Sequence, residues 1–305
     1  MRCPADPSDT DLPRLSVVVA TVDPWPAARA CLESLLCQSP GEQFEVLVMD
    51  GSGAGLPAEG GSPGVHRQVE IGRSVFQLRA LGMTAARGEI VASTEDHCRV
   101  APDWCRRLLE LHDLYPEAGG IGGAVENGAD RSTLDWIHFL IANGPYMRPN
   151  RQGAAGAITG QANVSYKRRV LPPDAPEDGM PQMEMNRSLR ERGMELRMDD
   201  RLVVWHVQSL GLRETCRMHF HTGRCLAGFR RPRLSGVGRL LRIAGCAVLP
   251  AYLAARTAAA VFAKKRCRLR LIRGLPHLAL LVSCHTLGEL LGYGFGVGNS
   301  PWKTR

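Results

Sequence analysis

The chain has 305 residues, 44% of them hydrophobic, and carries a net charge of +8, a size that suits one large domain, or a domain with an extension, around a sizeable core. The charge is unevenly placed: Leu212 to Arg305 holds seventeen Lys/Arg against two acids, Glu214 and Glu289, so this segment carries +15 and the remainder −7. That division excludes a uniformly basic nucleic-acid binder, and because the basic residues sit among long apolar stretches it points to an anionic membrane surface instead.

From the N-terminus, Met1 to Pro13 is polar and rich in Pro and Asp; it reads as a flexible tail without the apolar core of a signal peptide. Residues 14–128 then alternate strand and helix signals. Leu15 to Ala20 is an apolar run ending at Thr21, and Pro26 to Leu36 has helical spacing. Phe44 to Met49 is a second run, ending at Asp50 and followed by a Gly/Pro-rich loop to Gly64. A helix is expected over Arg73–Ala86, and a third run, Glu89 to Thr94, leads into Glu95-Asp96-His97. Pro102-Asp103 opens a helix over Trp104–Leu114, and Gly119 to Val125 reads as a further buried strand. Strands separated by helices imply an α/β fold with a mostly parallel sheet.

Residues 129–225 are less regular. Leu134–Ala142 is apolar, Gly153–Gly160 is a loop of small residues, and Asn163–Tyr166 is a short strand. Met183–Arg192 reads as a helix ended by Gly193, and Leu202–Trp205 as a strand with His206 at its end. Residues 226–305 form a helical extension, apolar over 236–263 and 271–297, with the six-fold basic loop Lys264 to Arg273 between. Arg256 and Glu289 inside spanning helices would each cost roughly 2.5–3.5 kcal/mol, and the basic loop would lie outside the cell, against the positive-inside tendency. Helices lying in the cytoplasmic leaflet are therefore expected. The ten cysteines include no CxxC pair, and the spacings Cys31/Cys37 and Cys98/Cys105 match no zinc pattern; they read as reduced thiols of a cytosolic protein.

In open α/β sheets ligands bind beyond the carboxyl ends of the strands. Here Asp50 and Glu95-Asp96-His97 occupy two of those ends, an arrangement suited to a divalent cation and a phosphorylated ligand. The order Ala20-Thr21-Val22-Asp23, Met49-Asp50-Gly51-Ser52, Arg79 with Gly82 and Ala86-Arg87-Gly88-Glu89, Glu95-Asp96-His97 and Pro102-Asp103-Trp104 resembles that of family 2 glycosyltransferases. In that family the blocks read Pro-Thr-Tyr-Asn, Asp-Asp-Gly-Ser, Arg-Asn with Ala-x-Gly-Glu, Asp-x-Asp and Pro-x-Trp.

The resemblance covers residues 14–225 and implies a GT-A fold: a nucleotide-binding half over 14–128, an acceptor half over 129–225, and inverting transfer from a nucleotide-diphosphate sugar. It places Thr21, Asp23, Asp50 and Arg79 at the nucleotide, and Glu95 and His97 at Mn²⁺ or Mg²⁺ with His206 joining them. Asp96 is placed at ribose or sugar, and Gly160 and Asn163 at the acceptor. His97 in place of the last Asp of the motif lowers the negative charge and favours the softer Mn²⁺. Where the family has Glu-Asp ahead of a helix, this chain has Met180-Pro181-Gln182-Met183-Glu184. Glu184 becomes the candidate base, with Glu177 and Asp178 as alternatives. The acceptor implied is a lipid-linked sugar or envelope glycan precursor. The missing Glu-Asp also leaves open a catalytically weakened nucleotide-sugar-binding subunit. A dinucleotide oxidoreductase is disfavoured, since no GxGxxG follows the first strand.

Overall fold

The computed structural model describes residues 12–24, 27–38, 44–54, 64–179 and 181–304. Most of the N-terminal tail, Pro26, most of the Gly/Pro-rich loop and Met180 lie outside these residues. The strands are β1 (Leu15–Thr21), β2 (Phe44–Asp50), β3 (Val65–Val69), β4 (Ile90–Glu95), β5 (Cys98–Val100), β6 (Ala118–Asn127), β7 (Gly153–Ala154), β8 (Val164–Lys167) and β9 (Glu195–His206). They form one sheet in the order β3-β2-β1-β4-β8-β6-β9-β5, with β7 added on β9. The pairs β3–β2, β2–β1, β1–β4 and β6–β9 are parallel, and β8 runs antiparallel between β4 and β6. The expected α/β architecture is therefore present.

Helices cover both faces. They are α1 (Arg29–Leu36), α2 (Val75–Ala85), α3 (Trp104–Leu114), α4 (Thr133–Asn143), α5 (Gln182–Glu191), α6 (Leu212–Arg230), α7 (Gly236–Gly245), α8 (Leu249–Ala263), α9 (Arg268–Arg273) and α10 (Leu275–Phe295). Every residue of β1 is buried, as a strand covered by helices on both sides must be. The start of α2 is set by a capping box in which Ser74 and Gln77 satisfy each other's backbone N–H groups. Gly82 lets that helix close onto the sheet, since a Cβ there would lie 2.5 Å from Val18 Cγ1. The amino ends of the strands are tied by Glu45, which accepts from Ser16 Oγ at 2.7 Å and from the Arg87 guanidinium. Burial pushes the Glu45 carboxyl up, but Arg87 and Ser16 outweigh it and hold the group below its usual range.

Several elements were not anticipated. The short strands β3, β5 and β7 carry no clear alternation of their own and exist through pairing with β2 and β9. Strand β9 begins seven residues ahead of the Leu202 start expected, and an irregularity sits in its register with β6 between Gly123 and Ala124. The basic loop is helical over α9.

The boundary expected at 225/226 falls inside α6, which runs unbroken to Arg230. Helix α10 lies along α6 so closely that a Cβ on Gly288 would stand 1.9 Å from Phe220 O, and one on Gly223 2.1 Å from His285 O. Leu271, Leu278, Leu281 and Val282 belong to the same apolar core as β1 and β4, so the C-terminal helices are continuous with the sheet domain. The charges weighed against spanning helices are also partnered: Glu289 accepts from His285 Nε2 at 3.2 Å, and Arg256 donates to Ile141 O. The cost assigned to them in lipid does not apply as reckoned from sequence.

Candidate active site

Glu95 is the last residue of β4, and Asp96-His97 form the turn into β5. Because β5 pairs with the end of β9, Cys98 faces His206 in register, which brings two histidines 109 positions apart into contact. His97 Nε2 and His206 Nε2 are 3.0 Å apart, and Glu95 Oε2 lies 3.5 Å from the first and 3.7 Å from the second. Three donor atoms thus converge on one point, at the spacing that metal–ligand bonds of about 2 Å produce. His97 Nδ1 meets Asp96 Oδ1 at 2.8 Å. A carboxylate on the far nitrogen fixes the ring and the tautomer of a metal-binding imidazole, leaving Nε2 to coordinate. One carboxylate and two imidazoles suit a divalent transition-metal ion, and accept Mn²⁺ more readily than the harder Mg²⁺, so these residues fit a bound divalent ion.

The electrostatics are tightly coupled. Burial raises the Asp96 carboxyl, but His97, Thr21 and Arg79 more than offset it and hold it below its usual range. Burial lowers His97, yet Asp96 and Glu95 raise it overall. His206 is driven well below the usual imidazole range by burial first, with the neighbouring His97 and His138 imidazoles further opposing its protonation. Arg79, on α2, is 1% exposed. Its Nη2 is 3.5 Å from Glu95 Oε1, while its Nε and Nη1 are buried with no hydrogen-bond partner among the described residues. Arg79 thus holds its charge beside the metal-type cluster with Glu95 as its ion-pair partner and two N–H edges unsatisfied.

Other expected residues are placed less simply. Thr21 Oγ1 bonds the Asp23 backbone and lies beside the Asp96 carboxyl, so Thr21 and Asp23 adjoin the cluster. Asp96 itself is turned onto His97, in place of the open sugar- or ribose-facing position expected. Asp50 accepts from Ser52 N at 2.7 Å, from Ser52 Oγ and from the Arg67 fork, and is 2% exposed. Both its oxygens are thus engaged within the protein, and the nucleotide contact expected of it is not the arrangement found.

Asn163 is a correction. It is fully buried, with Oδ1 accepting from Trp104 Nε1 at 2.9 Å and Nδ2 donating to Ala124 O and Leu202 O. It pins α3, β6 and β9 together and presents nothing to an acceptor; Gly160, nearby, faces open space. Glu184, in the first turn of α5, is also not the open base expected, since its Oε2 accepts from Arg187 Nη2 at 2.5 Å and from Arg233 Nη1.

Sequence reasoning missed His138 and His219. His138 lies behind His206 with ring centroids 6.1 Å apart; its Nε2 contacts Gln208 Oε1 and its Nδ1 contacts His219 Nε2, both at 3.0 Å. Burial holds His138 near 4, so it stays neutral and serves as a fixed hydrogen-bonding partner. Nothing in the sequence marks these residues, because only the packing of α4 against α6 joins them. Cavities flank the sheet among the described residues. One of ≈ 340 Å³, lined by Lys167, Arg169 and Glu195, lies at the amino end of β4, away from the cluster. One of ≈ 250 Å³ borders Val22 and Asp23 at the carboxyl end of β1.

The fold is shared with a solved structure, the mannosyltransferase PcManGT from Pyrobaculum calidifontis in complex with GDP-Man and Mn²⁺. The two superpose with a TM-score of 0.55 at 17% identity, over 94% of this chain and 88% of that one. The chain thus has a glycosyltransferase fold. No family model and no curated protein sequence matches it.

Proposed function

We propose that this chain is a metal-dependent, inverting glycosyltransferase of the family 2 type. It moves a sugar from a nucleotide-diphosphate sugar to a lipid-linked or envelope glycan acceptor in polysaccharide biosynthesis. The observation that carries the reading is the convergence of Glu95, His97 and His206, with Asp96 orienting His97, at the sheet edge where such folds bind ligands. The GDP-Man and Mn²⁺ of the solved relative support both the donor class and the ion. A divalent ion there supplies charge stabilisation to the departing diphosphate. Around it, Asp96 keeps the His97 tautomer fixed, His138 and Gln208 brace the wall behind His206, and the unpaired Nε and Nη1 of Arg79 supply positive charge. With Glu184 committed to two arginines, the exposed Glu177 and Asp178 ahead of α5 take over as the base candidates.

The acceptor reading follows from the C-terminal helices. In α7, Val237, Leu240 and Leu241 are 63–70% exposed beside Arg239 and Arg242, and α7 and α8 meet at a 67° bend that suits helices following a lipid surface. Helix α10 is long and apolar enough to cross a membrane, but 44% of its apolar window is buried against the protein; an in-plane arrangement on the cytoplasmic side is part of the proposal.

A panel of nucleotide sugars tested for Mn²⁺-dependent thermal stabilisation and for release of the nucleoside diphosphate decides the matter. Stabilisation by one donor with turnover on a lipid-linked acceptor is expected. No stabilisation by any donor contradicts the proposal. Stabilisation without turnover selects the second reading, a nucleotide-sugar-binding membrane-associated subunit, which the pairing of Glu184 favours.

A further inference from the structure

The end of the chain returns to the carboxyl edge of the sheet. After α10, Ser300–Lys303 forms a short 3-10 turn. It is fastened at three points: Ser300 Oγ meets His221 Nδ1 at 2.9 Å, Trp302 Nε1 donates to Gly72 O at 2.7 Å, and Thr304 is buried. His221 lies on α6 and Gly72 lies just ahead of α2, so the turn bridges elements from opposite ends of the chain.

Beneath it is the ≈ 250 Å³ cavity, walled by Val22 and Asp23 after β1, by Leu210, Glu214, Arg217 and Met218 at the start of α6, and by Trp302, Lys303 and Thr304. Asp23 is bonded to Thr21, which lies beside Asp96, so Thr21 stands between a residue of the cavity lining and the metal-type cluster. Its lining pairs one aromatic ring with two cations, Arg217 and Lys303, and two acids, Asp23 and Glu214, both already engaged in interactions of their own. Among the described residues at the strand end, the cavity is lined by Val22 and Asp23, neither of which offers a ring. Trp302 is held by its N–H edge yet remains 55% exposed, the condition of an aromatic platform fixed in place with surface left to cover.

We propose that this C-terminal turn is the outer wall of the donor site. Trp302 stacks on the nucleotide base, and Lys303 with Arg217 faces the diphosphate as it runs toward Glu95 and His97. Stacking tolerates any base, so the turn contributes affinity for nucleoside diphosphates as a class, while Lys303 adds a point charge for phosphate. The inference rests on the donor reading above and extends it to residues about 200 positions beyond the motifs that suggested it.

The test uses the full chain with Mn²⁺ alone, and with Mn²⁺ plus GDP, UDP or the corresponding nucleosides, followed by calorimetry. Trp302→Ala should weaken both nucleoside diphosphates about tenfold or more and leave Mn²⁺ alone unchanged. Trp302→Phe, which keeps a ring but loses the bond to Gly72, should recover most of that loss. Lys303→Ala should weaken the diphosphates and spare the nucleosides. Wild-type affinity in both alanine variants overturns the wall while leaving the donor reading intact. Equal weakening of Mn²⁺ alone and of nucleotide by Trp302→Ala also overturns it, because the turn then only holds the fold together. A wild-type chain that binds Mn²⁺ but neither diphosphate overturns both.

Discussion

In β1, Val17, Val18 and Val19 are completely buried, and α1 and α2 close over them. In α7 the same kind of side chain meets a different fate: Val237, Leu240 and Leu241 are 70%, 63% and 68% exposed, and no residue of that helix is buried. Helix α10 is intermediate, with Leu281 and Val282 buried against the domain and Leu287 and Phe295 57% and 77% exposed. Hydrophobicity in the sequence therefore says that surface will leave water, but not what will cover it. In the sheet the cover is the chain's own helices; along α7 the described residues bury nothing, and the anionic lipid proposed to cover it is the partner that basic residues beside the apolar ones would favour.

The contrast is broken or confirmed most directly by one substitution made in both regions. Val18→Asp places an unpaired charge in the core and should cost on the order of 4 kcal/mol or more, so the purified variant should lack a cooperative thermal transition. Leu241→Asp should leave the melting temperature almost unmoved while sharply reducing co-sedimentation with vesicles containing anionic lipid. A large thermal loss for Leu241→Asp would show that protein, not lipid, covers α7.

The buried half also has a pH signature that the exposed helices lack. His112 on α3 contacts Ser165 Oγ, and burial lowers it to about 3 from 6.5. Below 6.5 the unfolded chain takes up a proton that the folded one refuses, so stability falls as pH drops toward 3. By pH 5 the loss from this group is about 2 kcal/mol. Chemical denaturation at pH 7 and pH 5 should show it, and His112→Gln should make the pH dependence shallower. An unchanged slope would mean that His112 is reached by water.

The smallest effect is expected at Glu184. Its Oε2 is held between Arg187 and Arg233, so Glu184→Gln should change turnover by less than about threefold, where a true general base would lose roughly 10²–10⁴-fold. A loss of that larger size would return the role to Glu184 and require the arginines to part during the reaction.

The sequence made much of the parallel half legible. Its apolar runs ended at Thr21, Asp50 and Glu95, which are also the observed ends of β1, β2 and β4, because strands buried on both faces read as continuous hydrophobic runs. Helix α3 was expected with its observed bounds. Less legible were roles that depend on partners far along the chain. Asn163, read as the start of a short strand and placed at the acceptor by resemblance, has its amide consumed by three buried groups from α3, β6 and β9. Asp50 looked available, but Arg67 on the adjoining β3 claims it. Trp302 carried no signal, since only tertiary folding returns the chain end to β1.

The central claim is that Glu95, His97 and His206 hold a divalent ion. Pulsed electron paramagnetic resonance on the Mn²⁺-loaded chain tests it without requiring the sugar or the acceptor. The account predicts nitrogen couplings from two imidazoles. One should be lost in His97→Ala and the other in His206→Ala, and Mn²⁺ affinity should fall about a hundredfold or more in each, beyond the 10–100-fold typical of losing an outer partner such as Asp96. A Mn²⁺ signal with no nitrogen coupling, or one unchanged in both variants, would contradict the account.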